Sequence, residues 1–137
     1  MDDIKTLIDD LNLLIRLDSV EREVFARMHS DISIRIFDDG KASDNTQIGK
    51  YSDEYKIIRK KKGLQTDKVD LQFSRRMLND FVLLIGDNQY GHGFNIKENF
   101  DKSINVENIF KKDIFDLSDN EFVKLDLYYQ KALDKWL

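Results

Sequence analysis

Apolar residues at the start of the chain recur at helical spacing, but in two registers that do not join. The first register covers residues 2–16 and predicts an amphipathic helix. The second begins near residue 19, where Asp18 and Glu21 have the spacing of a capping pair. We therefore predict a second helix over about 19–31, kinked or separated from the first. The apolar positions are Ile4, Leu7, Ile8, Leu11 and Ile15, then Val20, Val24, Phe25 and Met28.

Residues 32–68 carry no sustained period. Ile32, Ile34 and Ile36 alternate with polar residues, which favours a short strand, with continuation of the helix as the alternative. Turn-forming residues follow at 38–40, 43–45 and 49. This pattern predicts that residues 38–68 form a long irregular loop or arm, with one helical turn near 51–58. A loop of this length inside a compact domain is usually functional or mobile.

Three apolar stretches between residues 69 and 94 predict a small antiparallel sheet. Residues 69–73 alternate, as in a half-buried strand, whereas residues 81–85 are continuously apolar, as in a buried one. A turn at 86–89 leads into residues 90–94, which completes a hairpin. The side chains that we expect to be buried are Val69, Leu71, Phe73, Leu83 and Ile85.

Two helices are predicted after the sheet. One covers about 97–111, with its apolar face at Ile96, Phe100 and Ile104 and with Phe110 as a further candidate. The other begins at a capping box formed by Ser118 and Glu121 and runs to residue 136 or beyond. Its apolar face and the flanking hydrophobic staple consist of Leu117, Phe122, Leu125, Tyr129, Leu133 and Trp136. The predicted fold is α+β in a single domain, residues 1–137, with the small sheet packed against the N-terminal and C-terminal helices.

The amino-acid composition excludes several kinds of site and argues against several classes of protein. The chain has 137 residues and no Cys, which excludes a disulfide framework and any thiolate site, and its two His argue against a His-rich metal centre. No apolar run approaches the ~20 residues of a spanning helix, and the acidic start Met1-Asp2-Asp3 lacks the basic region of a signal peptide. We expect no metal, no cofactor, no membrane contact and no export by that route.

No catalytic pattern stands out in the sequence. A P-loop, a dinucleotide fingerprint and a His-Glu-x-x-His helix are all missing. His92, between Gly91 and Gly93, is the most enzyme-like position, but we expect His92 and His29 to have ordinary structural or surface roles. Acidic residues are abundant, yet no pair is singled out by its spacing. We therefore expect a protein that is not an enzyme.

Charge is unevenly distributed along the chain, whose net charge is −4. Residues 1–18 carry five Asp against one Lys and one Arg, a net charge of −3, whereas residues 50–62 carry a net charge of +4. Opposed patches fit head-to-tail protein contacts at least as well as nucleic-acid binding. The basic run at 59–62 is either a solvated surface or a phosphate contact, and it lacks the interleaved aromatics of a single-strand platform.

Six segments, taken in order, resemble the small virion-morphogenesis proteins of tailed bacteriophages, the tail-completion or neck proteins of the head–tail junction. The resemblance covers about residues 20–125 and rests on the order and spacing of the segments. The chain departs from the family at Ser74-Arg75-Arg76, where relatives have a Thr-Gly-Asp or Ser-Gly-Asp turn. The segments are MHSDISIRIFDDG (28–40), IGKY (48–51), KKGLQTDKVDLQF (61–73), SRRMLNDF (74–81), YGHGF (90–94) and IFDLSDNE (114–121).

The resemblance implies a structural virion protein that forms a ring with copies of itself. Such a ring would join the portal-side connector to the tail terminator or tube proteins and would surround the DNA channel, allowing non-specific contact with packaged DNA. The protein would be made in the bacterial host cytoplasm and would reside at the head–tail junction of the virion. The residues themselves leave one alternative, a small nucleic-acid-binding accessory protein that uses the basic run at 59–62.

The candidate interaction residues lie in the loop at 38–68. We expect this loop to be mobile in the monomer and to order on assembly, with Tyr51, Tyr55 and Ile58 lying on a neighbouring subunit. The four basic residues would face acidic groups of that neighbour or the DNA. Reversal of all four to Glu should leave folding intact, because exposed charges contribute little to stability. They are Arg59, Lys60, Lys61 and Lys62.

Overall fold

The computed structural model describes residues 2–86 and 89–137, and it confirms the predicted fold class. Within those residues the chain is α+β, with five α-helices and a two-stranded antiparallel sheet packed against the N-terminal and C-terminal helices. No helix in this part of the chain is long and apolar enough to cross a membrane. The elements are α1 (Asp2–Ser33), a π-helical turn (Ile34–Asp38), α2 (Asp53–Lys61), α3 (Arg76–Asp80), β1 (Phe81–Gly86), β2 (Gln89–Phe94), α4 (Lys97–Phe110) and α5 (Asp119–Trp136).

The predicted separation near residue 18 is wrong, because α1 is one helix of 32 residues. Asp18 starts no second helix. Its carboxylate instead pairs with Arg22 one turn later, at 2.8 Å. The change of register is nevertheless real: the two apolar sets are rotated by roughly a third of a turn about the helix axis. Val20 and Val24 are buried against α5, whereas every residue from 3 to 18 is exposed. The second half of the helix packs against α5, whereas the first half is exposed to solvent. This difference accounts for the change of register within one helix.

The predicted strand over residues 32–36 is also wrong, and the alternative of a continued helix is correct. After Ser33 the helix widens into a π-helical turn, closed by a hydrogen bond from the Asp39 amide to the Ile34 carbonyl at 2.9 Å. The extra residue in a π turn changes which side chains face inward. Here it buries three consecutive side chains, Arg35, Ile36 and Phe37.

The main core lies where the C-terminal end of α1 meets the sheet and the loops that follow α1 and α4. A smaller cluster joins α1 to α5 through Val20, Val24 and Ala132. The α1 residues in these two clusters all come from the second half of the helix. The main cluster consists of Ile32, Ile36, Phe37, Ala42, Ile48, Val69, Met77, Phe81 and Ile114.

The hairpin is confirmed, with Phe81 opposite Phe94 at one end and Gly86 opposite Gln89 at the other. Its predicted turn falls partly on residues 87 and 88, which lie outside the described residues. The predicted third strand at 69–73 is wrong. Leu71 has a φ of 57°, and the Asp70 carboxylate accepts a hydrogen bond from the Gln72 amide at 2.9 Å, so the chain turns there.

Burial of the predicted sheet residues is mixed. Val69 is buried as predicted, whereas Leu71 and Leu83 are only half-buried. Phe73 and Ile85 are exposed.

The helix α4 forms over the predicted residues but turns a different face to the core. Asn99 and Ser103 are buried, whereas the predicted face at Ile96, Phe100 and Ile104 is exposed. The reason is a polar anchor on α3. The Asp80 carboxylate accepts hydrogen bonds from the amides of residues 95 and 96 and from the Asn99 side chain, at 2.9–3.2 Å. The two amides belong to the residues that lead into α4, which begins at Lys97 and has no capping side chain of its own.

The predicted capping box of α5 is confirmed: the Glu121 amide donates to Ser118 Oγ at 3.2 Å, and Glu121 Oε1 accepts from the Ser118 amide at 2.9 Å. The predicted apolar face of α5 is only partly covered. Phe122 is exposed, and Leu133 and Trp136 lie at the edge of the contact with α1. The side chains that pack there are Leu125, Tyr128, Tyr129 and Ala132.

The loop at 38–68 is packed onto the body and not a free arm. Ala42 and Ile48 belong to the main core, and α2 is a helix of nine residues where one turn was predicted. Ser52 caps that helix by accepting from the Tyr55 amide at 3.2 Å. Gly40, at a φ of +65°, lets the loop pass so close to the Val69 carbonyl that a Cβ would lie 2.6 Å from its oxygen.

Candidate functional site

An extended row of exposed apolar side chains lies on the N-terminal half of α1. Six side chains there, which we call the α1 stripe, are each 50–64% exposed. Residues 2–18 extend about 25 Å at the rise of an α-helix. Monomeric proteins rarely leave a contiguous apolar surface of this kind uncovered, and such surfaces usually bind partners. The stripe consists of Ile4, Leu7, Ile8, Leu11, Leu14 and Ile15.

The α1 stripe continues the face of α1 that contacts the hairpin. Leu7 and Leu11 precede Phe25 and His29 by 18 residues, about five helical turns, and therefore share their direction from the axis. Phe25 stacks on Tyr90 of β2 with ring centroids 4.4 Å apart. The stripe therefore extends this face of α1 towards the N-terminus, beyond the contact with the hairpin.

One edge of the α1 stripe is acidic. By helical periodicity, Asp3 and Asp10 flank Leu7 and Leu14 on that edge. The two basic residues of the segment, at positions 5 and 16, lie on the opposite side of the helix. A partner surface that covers the stripe would therefore face two carboxylates along this edge.

A second unfilled apolar surface lies between the loop around α2 and α4. It is an open cavity of about 620 Å³, which we call the α2–α4 groove. Lys50 and Lys102 stand at its rim, and Lys62 Nζ lies 4.4 Å from the centre of the Phe73 ring. The volume falls within the ~300–1,000 Å³ typical of binding pockets. The apolar wall includes Tyr55, Leu71, Phe73, Val106, Ile109 and Phe110.

Arg59 is 1% exposed, so the prediction that it is an exposed cation is wrong. Its guanidinium donates to the carbonyls of Gln65 and Gln72 at 2.8 and 2.7 Å and to Asp70 at 3.3 Å. The same group lies 4.4 Å from the centre of the Tyr51 ring. A buried charge is stable only when paired and hydrogen-bonded, and these partners meet that need. Arg59 holds the loop together and offers no charge to a ligand.

The other predicted interaction residues divide into two groups. Tyr51 donates a hydrogen bond to Asp70 at 3.1 Å, and burial raises the pKa of its phenol to about 12. Tyr55 packs edge-on against Tyr51, with ring centroids 5.2 Å apart. These two side chains pack against Arg59, and both also line the α2–α4 groove. Ile58, Lys60, Lys61 and Lys62 remain exposed.

The structure brings together the two histidines, which the sequence separates by 63 positions. His29 Nδ1 and His92 Nδ1 are 2.9 Å apart, and the rings stack with an interplanar angle of 10°. His29 Nε2 lies 3.1 Å from the Phe81 carbonyl. Burial, reinforced by the charge of His29, lowers the pKa of His92 to about 4, and burial also lowers the pKa of His29.

Hydrogen bonding fixes the protons of this pair. The Phe81 carbonyl can only accept, so His29 Nε2 carries a proton and neutral His29 has a bare Nδ1. His92 Nδ1–H therefore donates to His29 Nδ1. A metal between the two atoms would need them about 3.3 Å apart, judged from zinc–nitrogen bond lengths in a tetrahedral site. At 2.9 Å the pair instead fastens β2 to α1. Within the described ranges, no cluster of three or more His, Asp or Glu side chains could hold a metal.

A buried ion pair fixes the base of the projecting helix. Arg35 Nε donates to both carboxylate oxygens of Glu121 on α5, at 3.0 and 3.1 Å. Its two terminal nitrogens donate to the carbonyls of Lys41, Ile114 and Asp116 at 2.7–3.1 Å. One side chain thus ties the end of α1 to two loops and to α5.

Comparison with family models, with curated proteins and with solved structures found no match to this chain. The fold and its surfaces define the chain only as an α+β domain that carries a projecting amphipathic helix and an open apolar groove. The spacing of apolar residues indicated the helix, but no signal in the sequence indicated that it would be uncovered. The groove and the His29–His92 pair depend on distant contacts and have no local signature.

Proposed function

We propose that this chain is a structural assembly protein: a head–tail connector, neck or tail-completion protein of a tailed phage that forms a ring joining the portal-side connector to the tail. The observation that carries the proposal is the α1 stripe, six apolar side chains on a helix that projects from the body. The resemblance of residues 20–125 to virion-morphogenesis proteins supports an assembly function within a virion. The protein acts by binding, and it needs no cofactor for that.

The energetics of the α1 stripe favour a partner. Burying apolar surface contributes about 25 cal/mol for each Å² removed from water, so six large side chains are a substantial source of binding energy. An isolated helical segment of this length is also marginally stable in water. A partner that covers the stripe would therefore stabilise both the contact and the helix. These two gains are expected of an assembly element that becomes ordered in its complex.

The distribution of charge supports contacts of the head-to-tail kind that build rings. The acidic edge of α1 and the lysines near α2 are separate surfaces of one chain. Contacts between two different faces repeat around a ring, whereas contacts of one face with itself end at a dimer. Opposite charge on the two faces favours the repeating arrangement.

Light scattering with chromatography tests the assembly function. We expect the wild-type chain to self-associate or to co-assemble with portal-side or tail proteins, and Leu11→Asp to block this. Leu13→Asp is the matched control, because Leu13 is equally exposed but lies on the opposite side of α1. The same variants should differ in complementing an assembly-defective phage. Equal behaviour of the two variants would contradict the proposal.

Nucleic-acid binding remains the alternative, carried by the exposed Lys60, Lys61 and Lys62. Reversal of these three to Glu, with Arg59 retained, should leave the fold unchanged, because the three side chains are exposed. Binding to duplex DNA measured at two salt concentrations distinguishes the functions, because phosphate contacts weaken steeply with salt. Salt-sensitive DNA binding by a monomer that the triple reversal abolishes would favour the accessory protein.

A further inference from the structure

We infer that the α1 stripe of one copy docks into the α2–α4 groove of the next copy, and this inference rests on the proposed assembly function. The partner is therefore a second copy of this chain. Each copy would offer its stripe to one neighbour and its groove to the other. Such a contact is head-to-tail and closes into a ring or grows as a filament.

The two surfaces match in apolar character. The α1 stripe presents a row of aliphatic side chains, and the groove is a cavity of about 620 Å³ with an aliphatic and aromatic wall. Ile109, at the mouth of that wall, is 71% exposed, so the groove is as uncovered as the stripe. Amphipathic helices commonly bind partners by laying residues spaced three and four apart into such grooves.

The two surfaces also match in charge. Asp3 and Asp10 flank the α1 stripe, and Lys50 and Lys102 stand at the rim of the groove. Lys102 pairs with Glu98 on its own helix at 3.3 Å, but the pair is exposed and its lysine stays accessible to a second carboxylate. Lys62, beside the Phe73 ring, adds a third cation near the mouth.

Pairing of two α1 helices is the principal competitor. It would cover the same stripe, but it would place two segments of net charge −3 side by side and leave the groove empty. Like charges across a contact oppose association. The groove accommodates the stripe with charges of opposite sign, and for this reason we assign it as the partner surface.

Complementary variants test the inference directly. Leu11→Asp damages the stripe and keeps the groove, whereas Ile109→Asp damages the groove and keeps the stripe. Each variant alone should self-associate at least ~30-fold more weakly than the wild type, the effect of losing a residue central to an interface. Mixed together, they still form one intact contact, so sedimentation should detect a 1:1 heterodimer. Ile104→Asp, an exposed position on α4 outside the groove, is the matched control and should assemble normally.

A charge exchange provides a second measurement that does not touch the apolar residues. Asp3→Lys with Asp10→Lys should weaken assembly, and Lys50→Glu with Lys102→Glu should do the same. Mixing the two double variants should restore the contact between them. Circular dichroism and melting temperature verify that each variant folds, which we expect since all four side chains are exposed.

The outcomes separate this inference from the proposed function. If Leu11→Asp blocks assembly but Ile109→Asp does not, and the mixture gives no heterodimer, the groove is overturned while the assembly function stands. Wild-type protein that stays monomeric at ~1 mM also overturns the inference, since a contact of that weakness is negligible. The assembly function is then decided by phage complementation alone. If neither variant affects assembly or complementation, both are overturned.

Discussion

The two halves of α1 are both amphipathic, but only one of them is covered. Residues 20–33 bury Val20, Val24, Met28 and Ile32 against α5, the hairpin and the loops. Residues 3–18 bury nothing, although they carry at least as many large aliphatic side chains. Helical periodicity therefore identifies an apolar face but does not reveal whether the covering partner lies in the same chain. The shift in register between the halves marks the boundary between internal and external contacts.

The largest expected effect concerns the anchor of the covered half. Arg35→Leu should lower the free energy of unfolding by about 3–5 kcal/mol, because it leaves Glu121 buried without its partner. Urea unfolding measures this. Arg22→Leu, which removes the exposed pair with Asp18 near the projecting half, is the control and should change little. Similar losses for the two variants would remove the distinction between the halves.

A pair of truncations compares the apolar residues of the two halves. Ile32→Ala should destabilise the monomer by about 2–5 kcal/mol, because Ile32 is fully buried and leaves a cavity. Leu11→Ala should cost less than about 0.5 kcal/mol in the monomer, because its side chain already faces water. Thermal or urea unfolding at low protein concentration gives both values. A large cost for Leu11→Ala would mean that the N-terminal half is packed after all.

Acid should weaken the contact between the hairpin and α1. Burial lowers the pKa of His92 from its ordinary 6.5 to about 4, so the unfolded chain binds protons there more readily than the folded one. The stability contributed by neutral His92 is complete above pH 6.5 and is lost as pH falls towards 4.

The expected loss is roughly 1–3 kcal/mol between these pH values, after allowance for partial exposure. Unfolding measured at pH 7 and pH 5 in the wild type and in His92→Gln checks it. The variant should show a shallower pH dependence in this window. An unchanged slope would mean that the His29–His92 contact does not exclude protons.

The capping box of α5 has a smaller effect on the covered half. Ser118→Ala should cost about 1 kcal/mol, because the Glu121 amide loses its acceptor at the first turn of the helix that packs on α1. Leu133→Ala should cost less than a core truncation, since Leu133 lies at the exposed edge of α5. Urea unfolding of both variants, compared with Ile32→Ala, places them in this order. A Leu133→Ala loss equal to that of Ile32→Ala would contradict it.

Local patterns were sufficient for much of the fold. A continuous apolar run and the turn residues after it located the hairpin, and the spacing of Ser118 and Glu121 located the start of α5. The errors arose where a distant polar group decided the outcome. Asp80 turned the Asn99 face of α4 inward, and Asp70 bent residues 69–73 out of a strand. No local period records such contacts.

The candidate site was harder to predict than the fold, for a similar reason. A run of four basic residues indicates an exposed charge, but Arg59 is buried because two loop carbonyls and a carboxylate surround it. The lysines that follow it have no such partners and stay on the surface. The α1 stripe was visible as a periodic pattern, yet its exposure depends on whether another element of the folded chain packs against it.

Hydrogen exchange of the α1 amides is the most direct test of the claim that residues 3–18 form an assembly surface. The amides of residues 20–33 should exchange slowly at every protein concentration, because packing protects them. The amides of residues 3–18 should exchange rapidly in the dilute monomer and become protected in the assembled protein. Rapid exchange of residues 3–18 that persists unchanged in the assembled protein would contradict the account.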